Sequence, residues 1–250
     1  MPAALSPTTR DSSFASTRWT VVRQAADSQT ASQHALSALS ELCQIYWRPV
    51  YVFLRRQGIA QHDAQDLTQA FFADLIESRA YARADPTKGR FRSFLLGTVK
   101  HFIAHARDHD RAQKRGGGNM PVQLDEASVS EAEMYASRSN SQSTDVVFER
   151  EWAASLARQA LDRVAQEYEL GGKGALFEAL KSRLIAGEAA AIPYEELANR
   201  LGRTAAHLRV DVTRLRARYR AILREEVSGT VVDSSDVDEE LRYLRQAMMA

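Results

Sequence analysis

Cysteine is nearly absent: Cys43 is the only one in 250 residues. That excludes an internal disulfide and leaves a thiolate metal site without a second sulfur ligand, so Cys43 is read as a small core residue. Glycine (12) and proline (6) are scarce, which excludes collagen-like and low-complexity architectures. No window approaches the roughly 18 uninterrupted apolar residues of a spanning helix. The first residues, from Met1 to Arg18, lack the apolar run of a secretory signal. The expectation is a cytoplasmic protein with no membrane contact. Clean two-residue alternation and hairpin signals are missing as well, so the fold class is all-α. What remains is 44% apolar and 26% charged, enough for one or two globular domains.

A net charge of +1 conceals segregation. From Arg79 to Arg115 there are ten Lys or Arg and three Asp; from Arg203 to Arg224 there are seven Arg and one Asp. Between and beyond them lie acidic blocks: Gln61 to Ser78 has four acids and no Lys or Arg, and Glu225 to Glu240 has seven and none. A polyanion meets the local field within a screening length of about 10 Å, not the net charge. Nucleic acid is therefore the leading partner class.

Apolar spacing is helical through the first half. Leu36, Leu39, Leu42, Cys43, Tyr46, Trp47, Val50, Tyr51 and Leu54 form one stripe, with Pro49 expected to bend the helix near Trp47. A second helix is expected from about Gln61 to Arg79 and a third from about Arg90 to Arg111. Residues 116–145 carry GGG, six serines and a net charge of about minus four, the composition of a flexible linker. Helical spacing resumes with Val147, Trp152, Leu156, Ala160, Leu161 and Val164.

The stretch from Ile192 to Leu223 is the most informative. Pro193 suits a first helical turn, Gly202 a tight turn and Thr204 the cap of the next helix, which together spell a helix-turn-helix. Leu208, Val212, Leu215, Tyr219 and Ile222 then face the core. Ala206, Val210, Thr213 and Ala217 face outward, with Arg209, Arg216 and Arg220 on one border and His207, Arg214 and Arg218 on the other. Small residues allow close approach to a groove floor while arginines reach phosphates or base edges.

Enzyme chemistry finds no foothold. His101, His105 and His109 recur every four residues, but the helix drifts about 40° per step and no HExxH or further ligand accompanies them. Gly171-Gly-Lys-Gly lacks the spacing of a phosphate loop. No nucleophile, paired carboxylate or metal set stands out. The expectation is a non-enzymatic protein with no cofactor, no metal and no small-molecule substrate.

Three blocks, Tyr46-Trp-Arg-Pro-Val-Tyr, Asp63-Ala-Gln-Asp-Leu-Thr-Gln-Ala-Phe-Phe and Lys88-Gly-Arg-Phe-Arg-Ser-Phe-Leu, resemble region two of bacterial RNA polymerase sigma factors of the extracytoplasmic-function (ECF) group. Pro193-Tyr-Glu-Glu-Leu-Ala through Arg216 resembles region four. The resemblance implies two small helical domains, a region-two-like bundle (33–115) and a region-four-like domain (146–224, helix-turn-helix at 193–220). They are joined by the flexible linker (116–145), preceded by an extension (1–32) and followed by an acidic tail with a terminal helix (225–250). It implies core RNA polymerase and promoter DNA as partners, with an anti-sigma protein or a regulatory kinase as candidate controllers. Core-polymerase binding falls to Asp63, Asp66, Gln69 and Phe72. Recognition and melting of the minus-ten element falls to Arg90, Phe91, Arg92, Phe94, Lys100 and Arg107. Reading of the minus-thirty-five element falls to Thr204, Ala206, His207, Arg209, Thr213, Arg214 and Arg216.

Departures from the family pattern are visible. Gln65 and Ala70 stand where glutamates are common, and Asp211, in place of a basic residue, is expected beside Arg214. Thr68 would be a kinase target in an acid-poor helix, but its position beside Phe71 and Leu75 favours a packed core residue. The acidic tail either competes with DNA for the arginines of the recognition helix or packs against Val147 to Ile185 with its acids in water. The alternative to a sigma factor is a stand-alone helix-turn-helix regulator of duplex DNA.

Overall fold

The structure, a computed structural model, describes residues 33–109, 126–137, 142–185, 192–231 and 233–249. Every regular element among the described residues is helical. Helix α1 (Gln33–Arg56) contains Pro49 without ending there. It buries the expected Leu39, Leu42, Cys43, Tyr46, Val50, Tyr51 and Leu54, and also Val52 and Phe53. The stripe is wider than periodicity suggested because α1 is enclosed from two sides. One neighbour is α2 (Gln61–Glu77). The other is α5 (Thr144–Leu170), whose Phe148 meets Phe53 edge-to-face with ring centres 6.3 Å apart. Cys43 is fully buried, and burial pushes its thiol up to about 12. Helix α3 (Phe91–His109) closes the bundle through Phe91, Leu95, Val99 and Ile103.

Residues 116–145, expected as a flexible linker, contain helix α4 (Glu126–Ala136), which buries Val129, Ala132 and Ala136. Charge fastens it to α1. Arg48, only 6% exposed, pairs with Glu151 at 2.7 Å and with Glu131 at 3.0 Å. Arg55 pairs with Glu133, which also accepts a 2.7 Å hydrogen bond from the Tyr51 hydroxyl. Two of the acids that gave the segment its solvated composition are thus its anchors.

Helix α5 belongs to two cores. Its first half, Val147 to Leu156, completes the core built on α1; Ala160 and Val164 enter a second core. There they meet Leu176, Phe177 and Leu180 of α6 (Gly174–Leu180), Leu197 and Ala198 of α8 (Tyr194–Leu201), and Leu208, Val212, Leu215 and Ile222 of α9 (Ala205–Ser228). A short α7 (Ser182–Ile185) lies between α6 and α8. The boundary expected at 145/146 falls inside the first turn of α5, and this one helix contributes to both cores. The last helix, α10 (Val237–Met249), returns to the first core, where Val237 and Leu244 are buried.

Candidate nucleic-acid interface

The acidic edge of α2 is on the surface. Asp63, Asp66, Gln69, Ala70, Asp74 and Glu77 are all exposed. Phe72 is not: it is fully buried and packs edge-to-face on Phe71 at 5.1 Å. At about 100° per residue it lies opposite Asp63, so it supports the edge from inside and presents nothing to a partner. Thr68 is also fully buried, and its hydroxyl donates to the Ala64 carbonyl at 2.6 Å.

The basic segment at the start of α3 is covered. Arg92 is 7% exposed, with its guanidinium carbon 4.4 Å from the Trp152 ring centre and 4.3 Å from that of Tyr243. It pairs with Glu149 at 2.6 Å and with Glu240, which is itself 1% exposed. The second oxygen of Glu240 lies 3.5 Å from Arg90, and Arg90 also meets Asp236 at 3.1 Å. Burial pulls the Arg92 pKa down, but the nearby Glu149 and Glu240 carboxylates outweigh it and the net shift is upward. Burial holds Glu149 above the ordinary carboxylate range, with Arg92 opposing and Glu240 adding to the rise. Two guanidiniums face three carboxylates here, so the local field no longer attracts a polyanion.

The aromatic residues of that segment are inward too. Phe91 packs edge-to-face on Tyr46 at 5.7 Å, and half-buried Phe94 tilts against Phe91 at 5.8 Å. Phe91 thus offers no open ring face for a base, because α1 occupies it. Lys100 is exposed and pairs with Asp145 at 2.7 Å. The side chains of Arg107 and His109 lie outside the described residues. His101 and His105 are exposed, their rings 4.3 Å apart, and no cluster fit for a metal occurs among the described residues.

The third surface is open. Helix α8 ends at Gly202, whose φ of 60° is the left-handed conformation that favours glycine, and the Arg203 N–H returns to the Ala198 carbonyl at 3.0 Å. Thr204 caps α9 by accepting from the His207 N–H at 3.2 Å. Pro193 sits one position earlier than expected, as the residue preceding α8. Ala206, His207, Arg209, Val210, Thr213, Arg214, Ala217 and Arg220 are exposed, while Leu208, Val212, Leu215 and Ile222 are buried as the spacing demanded. Several arginines are held in place rather than waving freely. Arg209 meets Glu195 at 3.2 Å, half-buried Arg216 donates to the Arg183 carbonyl at 3.2 Å, and Arg218 makes a two-toothed contact with Glu167 at 2.6 and 2.7 Å. Asp211 pairs with Arg203 at 2.8 Å, not with Arg214 as its sequence neighbourhood suggested.

Sequence reasoning missed the cage partners Glu149, Trp152, Glu240 and Tyr243. The available signal was the amphipathic spacing of Val237, Leu241 and Leu244, which marks a helix that must dock somewhere. Of the two expectations for the acidic tail, packing describes α10, which lies on α5. The tail's acids are not all in water, however: Asp236 and Glu240 reach Arg90 and Arg92, and Asp238 reaches Arg224 at the end of α9.

Among the described residues the fold is all-helical, with an exposed acidic edge on α2 and an exposed arginine-flanked face on α9. Residues 42–114 match the family model described as sigma-70 region 2. The match runs from Leu42 in α1 to the segment after α3, so this part of the chain is similar to sigma-70 region 2. Neither the curated proteins nor the solved structures give a match. No helix among the described residues is long and apolar enough to cross a membrane.

Proposed function

We propose that the chain is a transcription initiation factor of the ECF type, which binds core RNA polymerase and directs it to specific promoters. The observation that carries this reading is the region 2 match over residues 42–114 followed by a two-helix unit whose second helix exposes small residues between arginines. In this reading Asp63, Asp66 and Gln69 dock on a basic polymerase surface, where complementary charge sets orientation and encounter rate. Arg90 and Arg92, once released from the tail carboxylates that cover them, act with Phe94, Lys100 and Arg107 to hold the minus-ten strand, with the arginines and lysine tracking phosphates. Flipped bases held by the protein offset the stacking lost on melting. Thr204, Ala206, His207, Arg209, Thr213, Arg214 and Arg216 face the minus-thirty-five duplex, α9 entering the major groove as a recognition helix.

The test is reconstitution. The purified chain is mixed with core polymerase, co-elution is measured, and transcription from a library of genomic fragments is mapped. Co-elution with promoter-directed initiation supports the reading. Tight duplex binding without polymerase, and no co-elution, replaces it with a stand-alone helix-turn-helix regulator. Asp66→Lys should weaken co-elution without loss of helicity, since a like charge on a complementary interface costs several kcal/mol.

A further inference from the structure

The basic segment Arg90 to Arg92 is occupied by the chain's own C-terminus. Helix α10 lies on α5 and reaches back across more than 140 residues of sequence to place Glu240 between Arg92 and Arg90, with Asp236 beside Arg90. Three features distinguish this contact from incidental surface pairing. Glu240 and Arg92 are both buried, and Tyr243 and Trp152 enclose the guanidinium. Val237 and Leu244 dock the same helix through apolar contacts. The connection from the end of α9 at Ser228 to Val237 is short, so the tail is presented at an effective concentration in the millimolar range.

We infer that α10 is an intramolecular cap that competes with single-stranded nucleic acid for Arg90 and Arg92. This rests on the proposed role of that segment in strand binding. A phosphate backbone needs the same guanidinium edges that Asp236 and Glu240 of the tail hold, so strand and cap exclude each other. Release costs the strand part of its affinity, because the binding-competent fraction scales the apparent dissociation constant. The exposed Arg224–Asp238 pair joins the cap to the end of α9.

The test uses the full chain and a fluorescent oligothymidylate at low salt. The double variant Glu240→Gln/Leu244→Asp removes the shared carboxylate and ejects the apolar anchor while leaving net charge unchanged, so a gain in affinity has no trivial electrostatic origin. Hydrogen exchange should show residues 237–249 losing protection, and affinity for the oligonucleotide should rise about tenfold. Loss of protection with unchanged affinity overturns the cap. Should the variant not fold, the wild-type chain decides: saturating oligothymidylate should accelerate exchange across 237–249, and full protection in the bound state overturns the cap. Transcription with core polymerase is scored separately. If neither chain supports initiation, the sigma-factor reading fails, while the binding and exchange results still judge the competition itself.

Discussion

Two arginine-rich surfaces of similar sequence charge end in opposite states. At the start of α3, Arg90 and Arg92 are enclosed by Glu149, Asp236, Glu240, Trp152 and Tyr243. On α9, Arg214 and Arg220 are exposed beside Ala206, Val210, Thr213 and Ala217. Local charge density therefore does not decide whether a basic block is available to a polyanion; the packing of distant segments does. The same contrast runs through the ion pairs. Several of those at the first core, Arg48–Glu151 and Arg92–Glu240 among them, are buried and hold elements together, whereas those of the second lie largely at its surface.

The contrast breaks most readily at Trp152. Truncating this fully buried side chain to alanine removes the floor of the Arg92 cage and leaves a cavity; a loss of about 3 to 5 kcal/mol in denaturant unfolding is expected. Next come two ion pairs of different burial. Glu151→Ala leaves Arg48 buried without its nearest carboxylate and should cost about 3 kcal/mol. Glu167→Ala opens the exposed pair with Arg218 and should cost less than about 1 kcal/mol. Equal losses at the two positions would erase the distinction between the cores.

Smaller effects sharpen the open surface. Thr204→Ala removes the cap of α9 and should cost about 1 kcal/mol, read by thermal unfolding. Arg214→Ala should leave stability unchanged but lower the salt dependence of duplex binding by about one in slope if this arginine contacts a phosphate. The smallest expected effect is on the acid side of neutrality. A hydrogen bond from Arg55 holds the Glu133 pKa below its ordinary 4.5, opposed by burial and supported by Tyr51. Its contribution to docking α4 is complete above pH 4.5 and is lost as pH falls through the depressed value. Exchange protection of α4 should fall through that window in the wild-type chain, whereas in Glu133→Gln, which lacks this contribution at every pH, it should start lower at neutral pH and change less across the window.

The parts legible in the sequence are those with local causes. Gly202, Thr204 and the Leu208 to Ile222 spacing fix the α8–α9 turn and the inward face of α9 without reference to anything outside that segment. The acidic edge of α2 was legible for the same reason, as was the burial of Thr68. Illegible features have causes far along the chain. Val52 and Phe53 became core because α5 covers the side of α1 that periodicity left open. Helix α4 was hidden by its acids, which resemble a solvated linker until Arg48 and Arg55 are seen to receive them. The destination of the tail was ambiguous because seven acids complement either basic block, and the tail in fact reaches both: Glu240 enters the Trp152–Arg92–Tyr243 stack while Asp238 pairs with Arg224.

Permanganate reactivity of promoter thymines tests the central claim most directly, because it reads strand opening rather than binding. With a promoter fragment mapped by reconstituted transcription, thymines near the start site should become reactive only when core polymerase and the intact chain are both present, and reactivity should fall in Asp66→Lys. Reactivity produced by core polymerase alone, or none with a chain that nevertheless protects the same fragment as a duplex, would contradict it.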